Sequence, residues 1–140
     1  MANLVTNIYK NLATGGGVSL SGDTFYCALL NSTITSEDTS AIQRFETYAD
    51  IASYELSGVG YTTSGEQLTN VSLSASDAGN NTLWVADDVT WTNATFDASG
   101  AVIYKSGGYP VVGVISFDGT QSVSNSSFNL KFTNGAMTIN

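Results

Sequence analysis

The 140-residue chain carries four basic and twelve acidic residues, no histidine and a formal net charge of −8. Such a surface repels phosphate backbones and disfavours nucleic acid as a partner. Charged residues are only 11% of the chain, against roughly 25% in ordinary soluble domains, so Ser, Thr, Asn and Gly must carry solubility. A hydrophobic content of 42% with 11% aromatics argues against disorder and for one packed domain spanning residues 1–140. No run approaches the ~20 apolar residues of a membrane helix. No N-terminal segment has the pattern of a secretory signal, so a soluble chain made in a cytoplasm is expected.

In chain order, residues 1–13 space Leu4, Ile8 and Leu12 four apart with Val5 and Tyr9 alongside, which predicts a short N-terminal helix. Gly15, Gly16 and Gly17 end it, so helix and glycine-rich turn together occupy residues 1–17. Its apolar face either closes one end of the core or docks on a partner through Leu4, Ile8 and Tyr9. Ser21, Gly22 and Asp23 form a turn into a strongly β segment, residues 24–30. Between residues 36 and 52 the period changes. Glu37 and Asp38 suit a helix start, and Ile42, Phe45 and Tyr48 follow at helical spacing, so one helical excursion is predicted over the edge of a sheet.

A glycine-rich loop around Gly58, Gly60 and Gly65 precedes an alternating strand at 67–76 and a turn at 77–81. Residues 83–86 form a strand, Asp87 and Asp88 break it, and Val89 opens the next. The segment with the longest apolar runs is a predicted hairpin: residues 95–104 and 110–117, joined by the loop 105–109. Residues 118–121 are expected to turn. Residues 127–133 alternate, with Phe128, Leu130 and Phe132 on one face. Asn134-Gly135 then predicts a tight hairpin whose return strand is 136–140. The fold class that follows is mainly β: a single-domain antiparallel β-sandwich or jelly-roll-like fold with a short N-terminal helix and one helical excursion.

Few constellations point to chemistry. Cys27, the single cysteine, sits in an apolar strand and reads as a small buried hydrophobe. Gly58, Gly60 and Gly65 lack the lysine and strand–loop–helix setting of a phosphate loop. Asp87 and Asp88, with Asp77 or Asp97, match no calcium-loop spacing and read as turn residues. Glu55 and Glu66 are a carboxylate pair of the kind any chain with twelve acids contains. Trp84 and Trp91 lie in apolar patterns and read as core, the alternative being a sugar-stacking face. Lys10, Arg44, Lys105 and Lys131 are too scattered for a basic patch. The Asn-x-Ser/Thr triplets at Asn31, Asn70, Asn80, Asn93 and Asn125 read as a by-product of composition. No catalytic residue, metal site or cofactor site is assigned.

Several stretches together carry a resemblance: residues 55–68 (ELSGVGYTTSGEQL), 86–91 (ADDVTW), 101–104 (AVIY), 115–119 (ISFDG) and the closing FNLKF at 128–132 before Asn134-Gly135. From about Tyr48 onward the chain resembles a family of small virion proteins of tailed bacteriophages, with Ser64 standing where that pattern tends to have glycine. The resemblance implies a non-enzymatic structural protein of the virion. Combined with low surface charge, it leads to the expectation of a capsid decoration or cement protein on the outer capsid surface. Its partners would be the major capsid protein and copies of itself, as a homotrimer on a local three-fold. The alternatives are a host-attachment or glycan-binding module of a tail or spike, and a head–tail connector or tail component.

Overall fold

The computed structural model describes residues 2–5, 17, 19, 21–31, 47–76, 81–132 and 137–139. Its dominant element is one hairpin. Strand β6 runs from Val89 to Lys105 over 17 residues, and β7 returns from Val111 to Leu130 over 20. Gly107 and Gly108, at φ +95° and +85°, supply the left-handed backbone of the turn. The turn closes with Gly108 N–H donating to the Lys105 carbonyl and Lys105 N–H to that of Pro110, both at 3.0 Å.

Near this turn the hairpin is the middle of a five-stranded antiparallel sheet. Its order is β1 (Ala2–Val5), β7, β6, β2 (Phe25–Leu30) and β3 (Glu66–Gln67). A second, three-stranded antiparallel sheet has the order β4 (Ser72–Ser76), β5 (Asn81–Val85) and β8 (Met137–Ile139). The mainly β expectation holds, with two antiparallel sheets.

Strand β2 shows how both faces of the large sheet come to be covered. Phe25, Cys27 and Leu29 point into the main core with Trp84, Trp91, Ile103 and Ile115. Ala28 and Leu30 point the other way, into a smaller cluster with Ile51, Val102, Tyr104, Val111 and Val114. Strands covered on both faces read as continuous apolar runs rather than alternating ones. That accounts for FYCALL at 25–30 and AVIY at 101–104. The second face is closed by a one-turn helix α1, Tyr48–Ile51, continuing as a 3₁₀ turn, Ala52–Tyr54. Thr47 starts it, with its N–H (2.9 Å) and hydroxyl (3.3 Å) donating to the Asp50 carboxylate. Tyr48 N–H donates to the Gly108 carbonyl at 2.7 Å, which seats the helix on the hairpin turn.

Beyond residue 98 of β6 and residue 121 of β7, the hairpin continues as a ribbon whose inner face is apolar: Val89, Trp91, Ala94, Phe96 and Ala98 on one strand, Val123, Phe128 and Leu130 on the other. The inward positions change parity midway on both strands. The cause is a pair of bulges, one on each strand, where Asn93 (φ +50°) and Asn125 (φ +46°) are left-handed. Asparagine is among the few non-glycine residues that take this conformation readily. The two segments read Trp91-x-Asn93-x-x-Phe96 and Val123-x-Asn125-x-x-Phe128, so the shifts compensate and the inner face stays apolar. Asn70, at φ +52°, turns the chain in the same way. Three of the Asn-x-Ser/Thr asparagines therefore serve the backbone.

Several expectations are corrected. Residues 2–5 are a strand, paired from Ala2↔Ser116 to Val5↔Gly113, where the spacing of Leu4 predicted helix. A short helix is costly to nucleate, whereas ladder bonds to the edge of β7 reward each residue as it pairs. Ile8, Tyr9 and the rest of that predicted helix lie outside the described residues, as does the predicted helix start at 36–46. The single strand expected at 67–76 is split: Gln67 belongs to the large sheet and Ser72 to the small one, with left-handed Asn70 between. Residues 118–121 are not a hairpin turn. Residues 117–120 stand opposite Ser99 alone, a wide bulge with Gly119 at φ +142°, after which β7 resumes pairing at Gln121↔Ala98. The return strand β8 pairs with β5 from Thr82↔Ile139 to Trp84↔Met137, not with β7. The Asn134-Gly135 turn lies outside the described residues.

Candidate functional site

Two features stand outside the plain core: a cluster around Glu55 and the outer ribbon of the hairpin. Glu55 is placed by residues that pair along the end of β2. Asn31 N–H donates to the Tyr54 carbonyl (2.8 Å) and Leu56 N–H to that of Leu29 (2.9 Å). One carboxylate oxygen of Glu55 accepts from the Tyr61 phenol and from Ser64 N–H, both at 2.6 Å. The other accepts from the Tyr48 phenol. The Tyr61 oxygen in turn accepts Leu29 N–H at 3.1 Å, and the Tyr104 phenol donates to the Ser64 carbonyl at 2.5 Å. Tyr104 also packs against Tyr48, ring centres 4.8 Å apart, and stacks on Tyr26 at 5.9 Å.

The arrangement works as a lock on the loop. Every partner of the carboxylate comes from the fold, and its acceptor capacity is used to pin loop 56–65 to β2. Glu66, its suspected companion, is exposed on β3 opposite Cys27. The glycines of the loop explain themselves by proximity. A Cβ on Gly60 would sit 2.8 Å from the Ala94 Cα, and one on Gly65 would sit 2.0 Å from the Cys27 carbonyl oxygen. They let backbone approach backbone, not phosphate.

Ser64 is left-handed at φ +79°. A side chain there costs about 1–2 kcal/mol, partly offset by the lower chain entropy of serine in the unfolded state. Ser64→Gly should therefore stabilise the protein by up to about 1 kcal/mol. A chemical-denaturation midpoint unchanged or lowered by the substitution would contradict this reading of the loop.

Burial controls the ionisable groups nearby. It pushes the Cys27 thiol from its ordinary 9.0 to about 12, and the Tyr104 phenol from 10.0 to about 12. Burial, with the Glu55 carboxylate next, raises the Tyr61 phenol well above its ordinary value. Each of these groups is held neutral by the fold and ionises more easily unfolded. Their stabilisation is whole below pH 9 and is lost as pH rises toward 12. Thermal melts followed by circular dichroism should show a melting temperature that falls progressively across this window. A flat profile from pH 9 to 11 would count against the buried, neutral assignments.

Two of the aspartates hold neighbouring segments in the same way. Asp87 accepts from Asn70 Nδ2 (2.5 Å) and the Thr69 hydroxyl (3.2 Å). Asp88 accepts Phe132 N–H at 2.8 Å. Asp97 is exposed on β6, and Asp77 lies outside the described residues. Among the described residues no group of three or more Cys, Asp or Glu gathers to hold a metal ion. Lys105 pairs with Asp23 at 3.4 Å, and Lys131 is exposed; Lys10 and Arg44 lie outside the described residues. Trp84 and Trp91 are buried, at 0% and 2% exposure, so neither offers a face for a sugar ring. Trp91 Nε1 is buried without a partner among the described residues; the ring is held by packing on Phe128 and Tyr61, at 6.1 and 6.2 Å. Of the predicted contact residues, Leu4 is in β1 with its backbone paired to Val114, so it is not part of a free helical arm.

The outer ribbon is the feature best suited to an interaction. Its outward positions are Thr90, Thr92, Thr95, Asp97 and Ser99 on β6, and Thr120, Ser122, Ser124, Ser126 and Asn129 on β7. Cross-strand pairs tie this surface together. The Thr90 hydroxyl donates to Asn129 Oδ1 at 2.5 Å, Asn125 N–H donates to the Thr95 hydroxyl at 2.9 Å, and the Ser99 and Thr120 hydroxyls are 3.2 Å apart. Such a surface is polar, uncharged over residues 119–130, and restrained. Alternation in the sequence marks parts of this ribbon, at the start of 95–104 and at 127–133, but the paired bulges hide its length.

Comparison with models of protein families, with curated proteins and with solved structures found no match.

Proposed function

We propose that this protein is a non-enzymatic structural component of a bacteriophage virion, a capsid decoration or cement protein that acts by adhesion to neighbouring subunits. The observation carrying this reading is the long ribbon of β6 and β7, whose outward face is hydroxyl-rich and, over residues 119–130, uncharged on a chain of net charge −8. A polar surface already restrained by cross-strand hydrogen bonds packs on protein with little loss of conformational freedom. The carboxylates of Glu55, Asp87 and Asp88 accept hydrogen bonds that hold neighbouring segments together. The resemblance of residues 55–68, 86–91 and 101–104 to small tailed-phage virion proteins points the same way.

In this reading the two sheets stack as a sandwich-like body that leaves the ribbon free to contact the major capsid protein and other copies of the chain. The outer capsid surface suits the acidic chain better than contact with packaged DNA. Repeated symmetric sites on a capsid favour symmetric self-association of the protein that occupies them. Particles made without the gene should release their genome at a lower temperature than complete ones, and added purified protein should bind them and restore the difference. Failure of the purified protein to bind such particles would overturn the proposal.

A further inference from the structure

We infer that the outer edge of β7 over residues 121–130 is a contact between two copies of this chain, joined by antiparallel strand pairing about a two-fold axis. Strand β1 covers β7 only between Gly113 and Ser116. From Gln121 to Leu130 the strand pairs with β6 on one side, and among the described residues nothing pairs with the other. A row of unmatched N–H and C=O groups is a template for another strand, and proteins that must stay apart blunt such edges with lysine, proline or other charges. Residues 119–130 contain none of these, and the nearest charge on β7 is Asp118. Two copies of a strongly acidic chain repel one another, and this stretch lets their sheets meet without opposing like charges.

The occupant follows from geometry. Antiparallel pairing of a strand with its own copy satisfies both edges at once and needs no second surface. A three-fold arrangement would require the β7 edge to meet a different edge of the next copy. The bulge at Asn125 bends the strand, so the contact is short and the dimer is expected to dissociate in the micromolar range, about 1–100 μM.

The inference deepens the adhesive reading and depends on it for its biological use, but its test does not. Light scattering after size exclusion should show the unmodified protein passing from monomer to dimer with concentration. Amide hydrogen exchange at concentrations on either side of that transition should show protection gained within residues 121–130. Ser124→Lys with Ser126→Lys should raise the dissociation constant at least about ten-fold without changing the circular dichroism spectrum. A monomer at all concentrations, a trimer, a dimer protected elsewhere, or protection of 121–130 independent of concentration would each overturn the contact. A protein that is monomeric yet binds particles would sink only this inference. One that dimerises yet is missing from particles would sink only the virion reading.

Discussion

Gly65→Ala is expected to cost more than about 4 kcal/mol of stability. The added Cβ would lie 2.0 Å from the Cys27 carbonyl oxygen, 2.6 Å from its carbon and 2.7 Å from the Ala28 Cα. All three atoms belong to the backbone of β2, so no side chain can turn aside to make room. Relief requires lifting the loop, which breaks the pairing of Glu66 with Cys27 and pulls Ser64 away from Glu55 and Tyr104. The left-handed backbone of Gly65, φ +79°, adds about 1–2 kcal/mol of conformational cost. Together these exceed about 4 kcal/mol, a large part of the 5–15 kcal/mol by which domains are stable. Gly107→Ala provides the control, since φ there is +95° but nothing lies within 4 Å. It should cost only the conformational part, about 1–2 kcal/mol. Equal losses for the two variants, read from denaturation midpoints, would show that the close approach of the loop to β2 is not real.

Trp84→Ala carries the next largest expected effect, a loss of about 3–5 kcal/mol. Trp84 is fully buried, and its ring meets Phe25 edge-on with centres 4.9 Å apart. Because Trp84 is on β5 and Phe25 on β2, this contact ties the small sheet to the large one. Removing the indole leaves a cavity at that junction, so β4, β5 and β8 should loosen before the β6–β7 hairpin does. Hydrogen exchange in the variant should accelerate first at residues 81–85 and 137–139. A drop in melting temperature of less than about 3 °C would mean that the two sheets do not share a core through this residue.

What the sequence made legible was the part written in short-range pattern. The apolar runs at 25–30 and 101–104, the glycine turn at 107–108, and the burial of Cys27, Trp84 and Trp91 follow from residue type and spacing. What it hid was long-range. Leu4 sits in a helical spacing but pairs with Val114, since the edge of β7 offers hydrogen bonds that a lone helical turn cannot match. The hairpin looked short because Asn93, Asn125 and residues 117–120 interrupt a strict period of two, although the interruptions preserve the apolar face. Glu55 was visible only as one carboxylate among twelve. Its partners Tyr48, Tyr61 and Ser64 come together only when loop 56–65 folds onto β2. The hydroxyl-rich ribbon was legible as composition, a shortage of charge, but its length and the β7 edge left unpaired among the described residues appear only once the strands are aligned.

Counting copies tests the functional claim most directly. Quantitative gel densitometry of purified particles, calibrated against the major capsid protein, should find hundreds of copies of this chain per virion, as repeated symmetric sites on a capsid demand. Fewer than about twenty copies per particle, the stoichiometry of a unique vertex or tail, or none at all, would contradict it.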